Sequence, residues 1–248
     1  IIYDDVARYE EETVEIPDYP VNLFFTKEGY FKKITPQSLR MSGEQKLKDG
    51  DEIIQELEFT NNCDLLFFTD KCQVYKAKAD DFAQTKASVL GDYVAAKLGF
   101  DEDENAVKMV VTKDYKGMLL FAFENGKAAK VPLESYATKT NRKKLTGAYS
   151  DKSPLVGLLY MPEDEEVLFK ASSGNMLLVH TGALALKTTR STQGVAVLKP
   201  KKGHRLFSIE RYKDGTFTNP KRYRTGSLPA RGALPVNDDS KDEQLSLI

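Results

Sequence analysis

The chain of 248 residues carries 36 Lys and Arg against 37 Asp and Glu, with 41% hydrophobic residues, two Cys and two His. A chain of this length forms one large domain or two small ones and buries enough surface to fold without a disulfide or a metal. Cys63 and Cys72 fit no metal-ligand or disulfide framework, so we expect buried or unreactive thiols in a reducing compartment. His180 and His204 are too few for a histidine metal cage, and the phosphate-loop, nucleophile-elbow and dinucleotide fingerprints are absent. We therefore expect no catalytic residue, metal site or cofactor in this chain.

A hairpin pattern recurs along the chain. Four segments share an apolar run, a polar turn and a second apolar or basic run, and a fifth copy is fainter: NLFFTKEGYFKKI (22–34), LLFFTDKCQVYKA (65–77), LLFAFENGKAAKV (119–131), LFKASSGNMLLV (168–179) and RLFSIERYKDGTFTN (205–219). The turn positions are 43, 54, 48 and 41 residues apart: Gly29, Cys72, Gly126, Gly174 and Gly215. After the first four, a second glycine opens another extended stretch 19 to 21 residues later: Gly50, Gly91, Gly147 and Gly194. Such spacing predicts a repeat architecture.

The turns and runs predict β-structure. Glycine adopts the positive φ that tight turns between twisted strands require. Cys72 breaks the pattern, so its repeat either uses another turn or holds Cys72 left-handed at a cost of about 1 to 2 kcal/mol. Apolar runs rich in Val, Leu and Phe predict strands, and short helical pieces are predicted at 78–84 and 133–137. Because such small sheets cannot bury their own faces, we predict an all-β, propeller-like disc of about five blades.

One domain is predicted over residues 1–232. The acidic segment 1–20 contains IIYDDV and TVEI, which can extend, and is a candidate closing strand. Residues 233–248 are predicted to form a solvated acidic tail. No run reaches the roughly 18 apolar residues of a membrane helix, and the first residues lack signal-peptide features, so we expect a cytoplasmic protein.

Charge is segregated along the chain although the net charge is -1. Between Lys187 and Arg231 twelve cations oppose two acids, and a second basic island runs from Lys127 to Lys144. Each run alone is typical of a solvated face, but cations recur in the second hairpin strand and in the loop after it. Equivalent loops of a ring fall on one perimeter, where these cations would form a curved track for the phosphates of a bent duplex. The candidate contacts are Lys32, Lys33, Arg40, Lys46, Lys76, Lys78, Lys130, Arg142, Lys143, Lys144, Lys187, Arg190, Lys199, Lys201, Lys202 and Arg205.

The aromatic residues of the hairpins suggest a second possibility, which is stacking on single-stranded bases. They lie inside the apolar runs, however, so we expect core residues instead: Phe24, Phe25, Phe67, Phe68, Phe121 and Phe123.

The repeated form LFFT-x-x-G-x-h-x-+ resembles the C-terminal domain of the A subunits of bacterial type II topoisomerases, DNA gyrase and topoisomerase IV. LLFFTDKCQVYKAKADDF, KTNRKKLTGAYSDKSPL, GNMLLVHTGAL and TTRSTQGVAVLKPKKGHRL carry most of the likeness, which covers about residues 15 to 225. The resemblance implies a β-pinwheel whose blades exchange strands and whose basic rim bends duplex DNA. It also implies a nucleoid-associated A2B2 holoenzyme, in which the N-terminal cleavage core of the same polypeptide works with an ATPase B subunit. The Mg²⁺ and ATP that the holoenzyme uses are bound outside this chain.

The chain departs from the gyrase pattern in one loop. Gyrase A subunits typically carry Q-R-R-G-G-R-G in the loop of the first blade, whereas this loop reads TPQSLRMSGEQKLKDGDE, with Gln45-Lys46 at best a remnant. The chain is in this respect similar to the topoisomerase IV type; a divergent gyrase domain and a protein-interaction propeller are the alternatives. The Arg8-Tyr9, Arg211-Tyr212 and Arg222-Tyr223 pairs echo the family's catalytic Arg-Tyr pair, but the winged domain that holds that tyrosine has no counterpart here.

Overall fold

The structure, a computed structural model, describes residues 15–41, 44–138, 143–236 and 239. The strands within these ranges are β1 (Pro20–Thr26), β2 (Tyr30–Ile34), β3 (Ile53–Thr60), β4 (Asp64–Thr69), β5 (Gln73–Lys78), β6 (Asp92–Tyr93), β7 (Ala106–Thr112), β8 (Met118–Phe123), β9 (Lys127–Pro132), β10 (Lys144–Thr146), β11 (Leu155–Met161), β12 (Glu166–Ala171), β13 (Met176–His180), β14 (Val195–Ala196) and β15 (Leu206–Arg211). Two short helices are α1 (Pro36–Arg40) and α2 (Val94–Leu98). Single 3-10 turns lie at Ala79–Asp81, Leu133–Tyr136, Thr181–Ala183 and Pro220–Arg222, and the first two fall on the predicted helical pieces.

Each blade is an antiparallel sheet built on one of the predicted hairpins. The strand orders are β3-β1-β2-β6, β7-β4-β5-β10, β11-β8-β9-β14 and β15-β12-β13. The strand that follows each hairpin pairs with the first hairpin strand, and we call β3, β7, β11 and β15 the inner strands. A short strand from beyond the next hairpin pairs with the second hairpin strand, and we call β6, β10 and β14 the exchanged strands. In blade 4 the exchanged position is a single bridge between Met176 and Ala233.

The prediction of an all-β pinwheel is confirmed, but the described residues form four blades rather than about five. The fifth, fainter repeat supplies β15, the inner strand of blade 4, which pairs with β12 from Val167↔Arg211 to Ala171↔Leu206. As far as the structure describes it, the chain after β15 does not return as a hairpin strand. Phe217 and Tyr223 instead pack against Leu168 and Leu178 of blade 4 itself.

The inner strands meet around a central channel. One cavity is lined by residues 54–57 of β3, 108–111 of β7, Leu159 and Tyr160 of β11, and Arg211 of β15. The Gln55 side chain exchanges two hydrogen bonds of 2.8 Å with the backbone of Met109 on the next inner strand. The exchanged strands, at the opposite edge of each sheet, therefore lie at the rim of the disc.

Aromatic and aliphatic side chains join consecutive blades. Phe25, Phe31, Phe67 and Phe82 pack between blades 1 and 2, with ring centroids 4.6 to 6.2 Å apart. Similar clusters lie between blades 2 and 3 and between blades 3 and 4. The six phenylalanines predicted to be core residues are all buried, which confirms that prediction.

The two ends of the series of blades are covered differently. No hydrophobic cluster among the described residues joins blade 4 to blade 1. Leu39 and Ile53 cover Phe24 and Ile34 of blade 1 from the same repeat, just as the segment after β15 covers blade 4.

Glycines precede the exchanged positions because the chain approaches the hairpin backbone closely there. A Cβ on Gly194, with φ of +71°, would lie 1.9 Å from the Ala128 carbonyl oxygen. Gly91 approaches the Phe31 carbonyl in the same way, and Gly232 approaches that of Met176. Gly232 is not among the glycines of the predicted repeat. Gly147 follows β10 rather than preceding it.

Cys72 adopts the left-handed conformation, with φ of 55°, that glycine occupies in the other hairpins. We expect Cys72→Gly to raise the free energy of unfolding by up to about 1 kcal/mol, because relief of the strain exceeds the added entropy of an unfolded glycine. Urea denaturation of the variant and the parent measures the change. Asp103→Gly, at an exposed residue with the same φ of 55°, is the matched control for the effect of glycine at a left-handed position. A Cys72→Gly variant that is less stable than the parent would contradict the assignment of strain.

The predicted tail begins inside the domain. Ala233 exchanges hydrogen bonds with Met176, and the buried Asp239 accepts hydrogen bonds from Thr218 and Tyr223. Contacts with blade 4 thus continue past the predicted boundary at residue 232 to residue 239, and the division of the chain at that boundary stays a prediction. The proposed closing strand in IIYDDV and the end of the tail lie outside the described residues. Across the described ranges, no helix has the length and apolar character needed to cross a membrane.

Candidate nucleic-acid interface

Three of the predicted contacts occupy one equivalent position, four residues after the hairpin turn: Lys33, Lys76 and Lys130. The Lys33 ammonium donates to Asn61 Oδ1 at 2.6 Å and to the Ala79 carbonyl at 2.7 Å, both in blade 2. Lys130 likewise donates to Asp164 Oδ1 at 2.8 Å and to the Thr181 carbonyl at 2.9 Å, at blade 4. Each lysine thus ties its own blade to the next one.

Lys76 repeats this arrangement between blades 2 and 3. Its ammonium donates to the Tyr136 carbonyl and to Thr138 Oγ1, both at 3.0 Å. Burial lowers the pKa of Lys33 and Lys76. In blade 4, which no further blade follows in the part of the chain that the structure describes, the equivalent residue is the buried Leu178.

Lys32 is also an interior residue. It is 1% exposed, and its ammonium donates to Gln45 Oε1 and to the carbonyls of Lys46 and Ala87. Burial lowers the pKa of this lysine.

The position of these lysines in the fold does not support the prediction that they contact phosphates. Lys32 and Lys33 are each 1% exposed and Lys130 is 5% exposed, while Lys76 is half-buried with its ammonium bound inside the fold. Their ammonium groups are held by the protein and cannot also meet a phosphate at the surface.

The rim is formed by crossovers, the segments that run along the outer edge of each second hairpin strand before the exchanged position. They are 83–91, 137–143 (of which the structure describes 137, 138 and 143), 185–194 and 224–232. Backbone bonds fix this placement, since Thr85 donates to the Lys33 carbonyl and Lys187 donates to that of Lys130, both at 2.8 Å. The four segments contain Lys and Arg and no Asp or Glu. Repetition around the ring thus places cations on one perimeter.

Several predicted contacts lie on this rim. Lys143 is exposed, and Lys187 and Arg190 are half-buried on the third crossover. Arg190 donates to the Ser135 carbonyl at 2.9 Å. The exposed Lys199 follows β14, and its backbone N–H donates to Ala230 in the fourth crossover at 2.8 Å.

Other predicted contacts are partly neutralised by carboxylates. Lys144 lies 2.6 Å from Asp101, and the hydrogen bond between them raises the pKa of the lysine. Lys78 lies 2.7 Å from Asp64. Arg205 has a longer and more exposed pair with Glu124, at 3.4 Å.

The remaining predicted contacts are spread over the molecule. Arg40, at the end of α1, and Lys46 are exposed between β2 and β3 of blade 1. Lys201 and Lys202 are exposed between β14 and β15. Arg142 lies outside the described residues.

Sequence reasoning missed three cations of the crossovers. Lys86 is exposed on the first crossover and Arg231 is exposed on the fourth, next to Gly232. Arg224, also on the fourth, is paired in bidentate geometry with Glu166 at 2.6 and 2.7 Å. Alignment of the first and fourth crossovers on Gly91 and Gly232, each of which precedes an exchanged position, would have found the first two.

Within the described ranges, no group of three or more His, Cys, Asp and Glu side chains could hold a metal ion. The surface offers instead exposed ammonium and guanidinium groups along a convex edge. Such an edge can bind a polyanion by charge, without recognition of a sequence.

Comparison with solved structures places this fold among the β-pinwheel C-terminal domains of type II topoisomerase A subunits. The C-terminal domain of DNA topoisomerase IV superposes with a TM-score of 0.69 at 24% identity, covering 81% of this chain and 63% of that one. The DNA gyrase A C-terminal domain superposes with a TM-score of 0.58 at 18% identity, covering 86% of this chain and 76% of that one. The E. coli ParC C-terminal domain gives 0.59 at 14% identity, covering 77% and 78%.

The sequence itself is homologous to the C-terminal region of topoisomerase IV A subunits, as the resemblance predicted. The DNA topoisomerase 4 A subunit of Staphylococcus epidermidis is 26% identical over 180 residues, which are 71% of this chain and 22% of that protein. Its Staphylococcus aureus counterpart is 25% identical over 181 residues, with the same coverage. The chain thus spans about a fifth of the length of these relatives. No family model matches the sequence.

Proposed function

We propose that this chain is the non-catalytic, DNA-binding and DNA-bending domain of a type II topoisomerase A subunit. The supporting observation is that the four crossovers along the rim carry cations and no acids. Phosphate contacts of this kind supply affinity and orientation for any duplex sequence. A convex rim of cations also favours a bent duplex over a straight one.

The domain acts within a larger enzyme under this proposal. The disc holds a DNA segment beside the cleavage core of the same polypeptide, while an ATPase B subunit completes the cytoplasmic, nucleoid-associated holoenzyme. Mg²⁺, ATP and the catalytic tyrosine belong to those other parts. Because the sequence of the loop of blade 1 lacks the gyrase heptapeptide, we propose the topoisomerase IV type of activity, decatenation and relaxation.

Salt dependence tests the binding proposal. We expect the logarithm of the association constant to fall linearly with the logarithm of salt concentration, with a slope of about -0.9 for each phosphate neutralised. Fluorescence anisotropy with duplexes of unrelated sequence measures both the slope and the sequence independence. A flat salt response, or strong preference for one duplex, would contradict the proposal.

Ligation of nicked circular DNA on the domain separates the two topoisomerase types. A small change in linking number is expected for the topoisomerase IV type. A large change of one sign would favour a divergent gyrase domain with chiral wrapping.

A protein-interaction propeller is the second candidate function. It is favoured by exposed apolar residues at equivalent positions of three inner strands: Ile54 at 40%, Val107 at 39% and Phe207 at 65% exposure. Exposed anchors of this type are common in protein interfaces. Absence of duplex binding even at low salt would select this candidate over the first.

A further inference from the structure

The chain returns from the rim to the central channel by three equivalent segments, which we call connections. They are residues 94–105, 147–154 and 197–205, each running from an exchanged strand to the next inner strand. The first begins where Val94 donates to the Gly29 carbonyl in one hairpin turn, and it ends where Asp70 of the next hairpin turn donates to Asn105. The connections therefore lie on the face of the disc that holds the hairpin turns.

The third connection has the same two attachments. Val197 donates to the Gly126 carbonyl at 3.0 Å, and Ser172 donates to the Arg205 carbonyl at 2.9 Å. Gly203 turns the chain between them with φ of +79°. Beyond Lys199, which adjoins the rim, the cations of this segment are thus held on a face of the disc.

Charge changes sign from one connection to the next. Residues 94–105 contain four acids and one lysine, residues 147–154 contain one acid and one lysine, and residues 197–205 contain four Lys or Arg and no acid. One face of the disc therefore repels a polyanion at its first connection and attracts it at its third.

The acids of the first connection are used by the fold. Glu104 is buried and accepts hydrogen bonds from Thr69 and from the Tyr75 hydroxyl. Asp101 accepts from Gln73 and pairs with Lys144. These carboxylates stabilise local structure, and their number does not indicate a cation site.

The cations of the third connection are used differently. Lys201 and Lys202 are exposed, and their side chains make no hydrogen bond or ion pair with any residue that the structure describes. Lys199, at the start of the segment, adjoins the rim through its bond to Ala230, beside Arg231. The exposed charge is thus continuous from the rim onto the face.

We propose that the third connection is a second duplex contact, on the hairpin-turn face of the disc, which holds the DNA after it leaves the rim. This inference rests on the proposed DNA-binding function. It makes the DNA path oblique to the plane of the disc, because the equivalent segment at the first connection is acidic. The ligand is the phosphate backbone of double-stranded DNA, read without sequence preference.

Duplex length distinguishes a face contact from a rim contact. We expect Lys201→Glu combined with Lys202→Glu to weaken binding of a long duplex, of about 60 base pairs, at least tenfold, and to reduce the salt slope by about 2. Binding of a duplex of about 15 base pairs, which the rim alone can hold, should change less than twofold. Fluorescence anisotropy at matched salt gives all four affinities.

The control is Lys113→Glu combined with Lys116→Glu, which changes the net charge equally near the β7–β8 turn, at the opposite end of the strands. It should leave both affinities nearly unchanged. Equal losses on both duplexes for the Lys201 and Lys202 variant, or no loss on either, would overturn the face contact while the binding function stands. Failure of the parent chain to bind any duplex would instead overturn the proposed function and this inference together.

Discussion

Replacement of Lys130 by methionine is expected to lower the free energy of unfolding by about 3 kcal/mol. Methionine fills a similar volume but leaves the Asp164 carboxylate and the Thr181 carbonyl without the ammonium that binds them. The loss of one partner of a buried ion pair costs about 3 to 5 kcal/mol. The lower end applies because the Asp164 side chain is 35% exposed and keeps its hydrogen bond from the Thr181 hydroxyl.

Urea denaturation followed by far-ultraviolet circular dichroism measures this loss. Lys127→Met, three residues earlier on the same strand, is the matched control, because among the described residues the Lys127 ammonium makes only a 3.3 Å hydrogen bond, to Gln193. It should cost less than about 1 kcal/mol. Addition of Asp164→Asn to Lys130→Met should recover part of the loss, since it removes the unpaired charge. A folded Lys130→Met chain should bind duplex DNA with unchanged affinity, and a stable variant that binds poorly would return Lys130 to the interface.

The architecture could be predicted because its signals are local. The hairpin turns at Gly29, Gly126 and Gly174 each need a positive φ, and the apolar runs beside them alternate with turn residues at a held spacing. The number of blades could not be predicted in the same way. Leu206–Arg211 has the composition of a hairpin strand, and only its pairing with β12 makes it the inner strand of blade 4.

The candidate interface was only partly predictable, because a lysine in the sequence does not reveal its environment. Lys33 and Lys143 each lie next to another lysine in the sequence, yet the first is buried against the next blade and the second is exposed. The partner that buries Lys33 is Asn61, 28 residues away, and the acid that pairs with Lys144 is Asp101, 43 residues away. Contacts over such distances depend on how blades pack, which no local pattern encodes.

The second large effect, a loss of duplex affinity, is expected for the cations of the rim. We expect Lys143→Glu, Lys187→Glu and Lys199→Glu together to reduce duplex affinity by about 100-fold to 1000-fold at moderate salt, because three phosphate contacts become repulsive. The salt slope should fall by about 3. Affinities for duplexes of unrelated sequence should fall by the same factor, since phosphate contacts carry no sequence information.

A control with the same change in net charge separates local contact from overall repulsion. Lys27, Lys113 and Lys116 are exposed lysines outside the crossovers of the rim, each paired with an acid at 2.8 to 3.0 Å. Their reversal to Glu gives a chain of identical net charge, for which only the screened, long-range part of the electrostatic energy changes. If both triple variants lose affinity equally, DNA is attracted by net charge alone and the rim is not its site. If the rim variant alone loses affinity, the cations that the blades place along the rim bind the duplex.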